Sequence, residues 1–220
     1  MEKKPIAKNT VTIMGIDFIN LKKEAFLESC VLPRLKNEGK TFIITAKPEM
    51  VMRSKEDREF GEIMQTADFV VPDGAGVVMA SKIVKDPIVE RIPGFDLMVD
   101  LLGIAEEEGF SCYFLGARDF VNEKLVRVVK ERYPKLNIAG HHHGFFPLDN
   151  AELAEDIAKR NPDIIFVALG SPRQEKWIAK YIDRFSKGFF MGVGGSFDVL
   201  SGEVKRGPEI WIQYNLEWLY

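Results

Sequence analysis

Cysteine, unbroken apolar sequence and excess positive charge are all scarce in this chain of 220 residues. Its only cysteines, Cys30 and Cys112, fall in a predicted helix and a predicted strand without metal-ligand spacing, so a disulfide framework is excluded and both read as reduced core residues of a cytosolic protein. No run approaches the roughly 18 apolar residues of a membrane-spanning helix. Met1 to Lys8 is polar and charged, without the apolar core that export requires. Lysine and arginine number 30 against 33 aspartates and glutamates, a net charge of -3, which speaks against a general nucleic-acid binder. Any anionic ligand must be met by local groups.

Several catalytic signatures are missing as well. The glycine run from Gly192 does not close on Gly-Lys-Ser/Thr as a phosphate loop would, and there is no Gly-x-Gly-x-x-Gly after the first strand, no Gly-x-Ser-x-Gly elbow and no Cys/His nucleophile pair. No two aspartates stand two apart. His141, His142 and His143 are consecutive, and neighbours in an extended chain point to alternate sides, so no metal is expected there.

What is present is alternation. With 46% hydrophobic residues the chain can bury one substantial core, and a single domain over 1–220 is expected. Val11 to Ile19 reads as a strand or hairpin, Lys22 to Lys36 as a helix, Thr41 to Thr45 as a buried strand, and Pro48 opens a helical stretch. Val70-Val71 is strand, Gly74 to Ile83 helix, Pro93 to Glu108 helix, Cys112 to Leu115 strand, Asp119 to Tyr133 helix and Leu136 to Ala139 strand. Asp149 to Arg160 is a helix capped by Asp149 or Asn150, followed by strand Ile164 to Leu169, helix Arg173 to Phe185, strand Phe189 to Val193 and an amphipathic helix Pro208 to Tyr220. The pattern predicts an α/β, doubly wound, mainly parallel sheet with helices on both faces. Its crevice lies outside the carboxyl ends of the strands and gathers the turns at Thr45, Asp73, Gly116, Gly170 and Gly192 onto one rim.

Asp73 stands at the end of a short apolar strand with Gly74 and Gly76 beyond it. It is either the cap of the next helix or a catalytic base. Gly192-Val193-Gly194-Gly195-Ser196-Phe197-Asp198 offers backbone amides to a phosphate or base, or is a tight turn without a ligand. Gly170-Ser171-Pro172-Arg173-Gln174-Glu175 opens a helix with polar groups suited to a diphosphate or sugar, or is a solvated helix start. Glu90-Arg91 brings a guanidinium to the same crevice or forms a surface ion pair. The C-terminal run from Glu209 to Tyr220 is aromatic and apolar, fit for core packing, a subunit interface or a membrane surface.

Taken as an ordered series, Thr45-x-x-Pro48-Glu49-Met50, Ala67-Asp68-x-Val70-x-Pro72-Asp73-Gly74, Glu90-Arg91-x-x-Gly94-x-Asp96, Phe114-Leu115-Gly116-Ala117, Gly144-Phe145-Phe146, Gly170-x-Pro172-x-Gln174-Glu175 and the Gly192 loop closely resemble the bacterial WecG/TagA/CpsF glycosyltransferases, over Val11 to Tyr220. The resemblance implies an inverting, metal-independent, cofactor-free transferase at the cytoplasmic face of the membrane. It would move N-acetylmannosamine from UDP to undecaprenyl-diphosphate-linked N-acetylglucosamine in teichoic acid linkage-unit synthesis. The missing Asp-x-Asp pair agrees with that expectation. The resemblance makes Asp73 the base, places Thr45, Arg91 and Gln174 in the pocket, and puts Asp198 in a loop near the nucleotide. Lys47, Glu90, Gly116, Gly170, Pro172, Glu175, Gly192, Gly194 and Gly195 are the further substrate-binding candidates.

Two departures from the family stand out. Lys47 replaces a usual asparagine, and its ammonium either pairs with a diphosphate or acidic donor sugar or is inert, so UDP-N-acetylmannosaminuronate and UDP-glucose stay open as donors. Members also continue past Glu-Trp-Leu-Tyr with a basic tail, so a truncated or naturally short chain is expected, completed by a neighbouring subunit or lipid. A homo-oligomer is expected too. A nucleotide-sugar binding module without turnover is the alternative from another class, and a dehydrogenase is disfavoured by the absent fingerprint.

Overall fold

The computed structural model describes residues 9–205. A hairpin of β1 (Thr10–Ile13) and β2 (Ile16–Ile19) turns through Met14 and Gly15, both at positive φ. A continuous helical segment follows, made of α1 (Lys23–Phe26), one π-helical turn (Leu27–Val31) and α2 (Leu32–Lys36). Then come β3 (Lys40–Ala46), α3 (Pro48–Glu56), α4 (Arg58–Thr66), β4 (Phe69–Pro72), α5 (Ala75–Ile83), α6 (Gly94–Glu108), β5 (Ser111–Gly116), α7 (Asp119–Arg132) and β6 (Asn137–His142). The remaining elements are α8 (Ala151–Lys159), β7 (Ile164–Ala168), α9 (Arg173–Tyr181) with a 3-10 turn at Ile182–Arg184, β8 (Gly188–Gly192) and α10 (Ser196–Leu200).

One sheet of eight strands runs in the order β1-β2-β4-β3-β8-β7-β5-β6, antiparallel only in the β1-β2 hairpin. The inner strands are apolar on both faces, as strands covered by helices from two sides must be. Ile43, Phe69, Phe114, Phe166 and Met191 point to one core together with α6, α7 and α10, while Phe42, Ile44, Val70, Leu115, Val167 and Phe190 point to a second with residues of α3, α4, α8 and α9. This is the doubly wound α/β architecture that the alternation predicts.

Three details differ from the sequence expectation, and one open alternative, the cap of α8, is decided. The helical stretch after Pro48 is two helices, because Asp57 turns extended and its carboxylate accepts the Phe60 N–H at 3.0 Å, capping α4. β6 starts at Asn137 and runs to His142, later and longer than expected. The α-helix from Arg173 ends at Tyr181 rather than Phe185. At α8 the cap is Asn150, accepting the Leu153 N–H at 3.1 Å. The expected helix from Pro208 to Tyr220 lies outside the described residues.

Candidate active site

The parallel strands all end on one side, and each of the five predicted turns leaves from such an end. Asp73 follows β4, Thr45 is the last residue but one of β3, Gly192 closes β8, Gly170 follows β7, and Gly116 closes β5. The sheet order therefore lays them side by side along one rim.

Contacts across the rim are close. A methyl group built on Gly94, the first residue of α6, would lie 2.8 Å from Thr45 Oγ1 and 3.3 Å from Asp73 Oδ2, so hydroxyl and carboxyl meet at the space that this glycine leaves open. Gly74, not Asp73, occupies the cap position of α5. The Asp73 N–H bonds to Ala46 O at 3.1 Å, which fixes its backbone to the end of β3. Thr45 Oγ1 in turn donates to Gly192 O at 3.4 Å, joining this corner to the glycine turn after β8.

Gln174 ties the same turn to α9. Its Oε1 accepts the Gly194 N–H at 3.1 Å, and its Nε2 donates to Glu175 Oε1 at 2.8 Å. Gly192 must lack a side chain, since a methyl there would approach Gln174 Nε2 to 2.6 Å. Glu175 is 1% exposed, and burial pushes its carboxyl above the usual range against the pull of Gln174 and Ser171. It stands behind Gln174 and orients it. Pro172 takes the cap position of α9, and Gly170, exposed at positive φ, accepts the Gln174 N–H at 2.9 Å.

The remaining candidates are spread along the rim. Ile92 N–H bonds to Pro72 O at 2.8 Å, so the half-buried Arg91 runs beside the carboxyl end of β4, next to Asp73. The Glu90 carboxylate instead accepts the Lys23 N–H at 3.1 Å, anchoring the start of α1. Lys47 is exposed at the cap position of α3, with its Cα 3.6 Å from a methyl built on Gly74, hence at the mouth of the Asp73 corner. Gly195 is the cap of α10, and Asp198 in its first turn pairs with Arg118 at 3.2 Å.

A cavity of about 550 Å³ opens at the other end of the rim, lined by Ala117, Arg118, Phe145, Leu169, Arg173 and Asp198. It lies where β5 leaves through α7 for β6 on one side and β7 leaves through α9 for β8 on the other. Open α/β sheets bind ligands at such a switch point. Arg118, paired with Asp198, and Arg173, donating to Phe146 O at 3.3 Å, bring two guanidiniums to this cavity, suiting an anionic group. Arg118 was not among the sequence candidates; its position two residues beyond a strand-ending glycine was the available signal. Asn122 was missed too: buried on α7, it donates to Gly116 O at 2.9 Å and His142 O at 3.1 Å, binding the ends of β5 and β6 together. His141 Nδ1 meets Asn122 Oδ1 at 2.8 Å and His142 Nδ1 meets His143 O at 2.8 Å, so the histidines face separate partners.

Fold and rim define a doubly wound α/β protein with a carboxyl-bearing corner toward one end of the strand-end rim and a switch-point cavity toward the other. The particular family follows from sequence comparison: the model of the glycosyl transferase WecG/TagA/CpsF family matches residues 11–220, and the chain belongs to that family. It is 38% identical over 211 residues to the N-acetylglucosaminyldiphosphoundecaprenol N-acetyl-beta-D-mannosaminyltransferase of Bacillus spizizenii, covering 96% of this chain and 82% of that protein. Proteins of the same name from Bacillus subtilis and Staphylococcus aureus are each 37% identical, again over 96% of this chain and over 82% and 83% of their own lengths.

Proposed function

We propose that this glycosyltransferase moves N-acetylmannosamine from a UDP carrier to a polyprenyl-diphosphate-linked N-acetylglucosamine, with inversion and without a metal, as a step of teichoic acid linkage-unit synthesis. The observation that carries the reading is the Asp73-Thr45-Gly94 corner bridged through Gly192 to Gln174 and the Arg173 side of the cavity. Relatives named for the same acceptor and sugar support the substrate pair.

A sugar hydroxyl is a weak nucleophile at neutral pH. Asp73 takes its proton as the acceptor oxygen bonds to the anomeric carbon from the face opposite UDP, and the bond from that carbon to the diphosphate oxygen breaks with its electron pair leaving on UDP. Arg91 and the Gly194 turn meet the charge on the departing diphosphate, and Arg118 and Arg173 line the cavity that takes the rest of the nucleotide. Thr45 and Gln174 hold the corner and the turn in register. The lipid anchor of the acceptor makes the protein a peripheral one at the cytoplasmic membrane face, and we take it to work as a homo-oligomer.

A second reading keeps the acceptor and changes the donor. Lys47 at the mouth of the corner favours it, because an ammonium there can pair with an acidic sugar such as N-acetylmannosaminuronate. A radiolabel transfer assay with a lipid-linked N-acetylglucosamine analogue tests both. Transfer from UDP-N-acetylmannosamine supports the first reading, and no transfer beside tight UDP binding would leave a binding module. If Lys47→Asn alters donor preference, the lysine selects the sugar; an unchanged preference removes it from selection.

A further inference from the structure

Helix α5 leaves the Asp73 corner and carries an outward face that the proposed chemistry does not use. Its inner side is anchored by Val77 and Ser81, 2% and 0% exposed. On its outer side Met79 and Ile83, one helical turn apart, are 65% and 80% exposed, and Val84 and Val89 in the following loop are 50% and 60% exposed. Single exposed apolar side chains are ordinary, but four within one helix and the loop that follows it mark an interaction surface.

The loop is held, so these side chains are presented rather than frayed outward. Ser81 Oγ accepts the Ile88 N–H at 2.9 Å, Asn20 Oδ1 accepts the Val89 N–H at 2.8 Å, and Ile88 is buried beneath them at 4% exposure. Lys82 and Lys85 stand among the apolar residues, both exposed, and neither pairs with an acidic side chain among the described residues. Asp86 is the only acid between Ala75 and Val89. Apolar side chains interleaved with free ammonium groups on one fixed face match the chemistry of an anionic bilayer surface, where the apolar groups enter the headgroup boundary and the lysines meet phosphates. At 1.5 Å per residue, Met79 lies about 6 Å and Ile83 about 12 Å along the helix from its first residue, Ala75, which directly follows the Asp73-Gly74 turn.

We propose that this α5 flank is the face on which the protein rests on an anionic membrane, setting the Asp73 corner beside the headgroups that carry the acceptor. The inference rests on the polyprenyl-linked acceptor proposed above. Its test is flotation of the full chain with phosphatidylglycerol-containing vesicles and with phosphatidylcholine vesicles alone. Wild type should float with the anionic vesicles and release in raised salt. Met79→Glu/Ile83→Glu and, separately, Lys82→Glu/Lys85→Glu should each lower vesicle binding by about tenfold or more. Both variants should keep the wild-type circular dichroism spectrum and their transfer to a short water-soluble acceptor within about twofold, while transfer to a vesicle-embedded acceptor falls by about tenfold, following the lost lipid affinity.

Unchanged vesicle binding in both variants overturns the proposal. So does a change confined to oligomer size, which would make the flank a contact between copies, or one confined to melting temperature, which would show that another part of the chain covers it. If wild type floats, both variants lose vesicle binding and no sugar is transferred, the reading of the activity fails and this surface stands.

Discussion

Asp73 and Thr45 meet at Gly94, and the distances there assign distinct consequences to single substitutions. Asp73→Asn keeps the size of the side chain and removes its basicity, so turnover should fall by about a hundredfold or more with melting unchanged. Gln174→Ala strips the acceptor from the Gly194 N–H, and one lost hydrogen bond of about 1–2 kcal/mol should weaken transfer roughly five- to thirtyfold. Glu175→Ala should reproduce much of that loss without touching substrate, because Glu175 Oε1 fixes the Gln174 amide. Steady-state kinetics on the three variants, with thermal unfolding alongside, separates these roles.

The register of whole elements sets the corner. α6 begins at Gly94 against Thr45 and Asp73, so Gly94→Ala must push the Thr45 hydroxyl off Gly192 O; activity should drop about tenfold in a protein that stays folded, the scale of one displaced polar contact. β5 and the start of β7 are clasped differently. Burial alone would raise the Asp163 carboxyl, but Lys187 at 2.6 Å and the N–H and hydroxyl of Ser111 at 2.8 and 2.7 Å hold it below the ordinary 3.8. A carboxyl depressed in the folded state adds stability that is complete above the unfolded value and is lost as pH falls through the lower folded one. Asp163→Asn should therefore lower stability at neutral pH and flatten the fall in melting temperature below about pH 4, the range of an ordinary carboxyl.

The same elements show what the sequence makes legible. Apolar runs such as Ile164 to Ala168 predict buried strands because helices cover both faces, and the glycines after them mark the rim. The break at Asp57 escaped because the polar periodicity of the two helices is continuous across it, and only the cap contact to Phe60 ends one and starts the next. Local sequence favours Asp73 as a helix cap over a base, yet Gly74 takes the cap, because the side-chain direction of Asp73 depends on Gly94, distant in sequence, leaving room beside Thr45.

At the scale of the molecule, strand order decides which distant residues become neighbours. The β4-β3-β8-β7-β5 sequence of strands sets Asp73, Thr45, Gly192, Gly170 and Gly116 in line, and the divergence of β5 and β7 opens the arginine-lined cavity at its end. Periodicity along the chain carries no information about that order. Arg118 and Asn122 went unread for this reason: each acquires its place only when β5 stands between β7 and β6. Gly116 shows how tight the assembly is, since at φ 127° any methyl would meet Ala168 O at 2.3 Å.

The most direct measurement is turnover by Asp73→Asn with UDP-N-acetylmannosamine and a lipid-linked N-acetylglucosamine analogue, paired with UDP affinity by calorimetry. The proposed role of Asp73 as base predicts a loss of about a hundredfold or more in kcat beside a UDP affinity within about threefold of wild type, as removal of a positioned base requires. Turnover close to wild type at equal UDP affinity would contradict it.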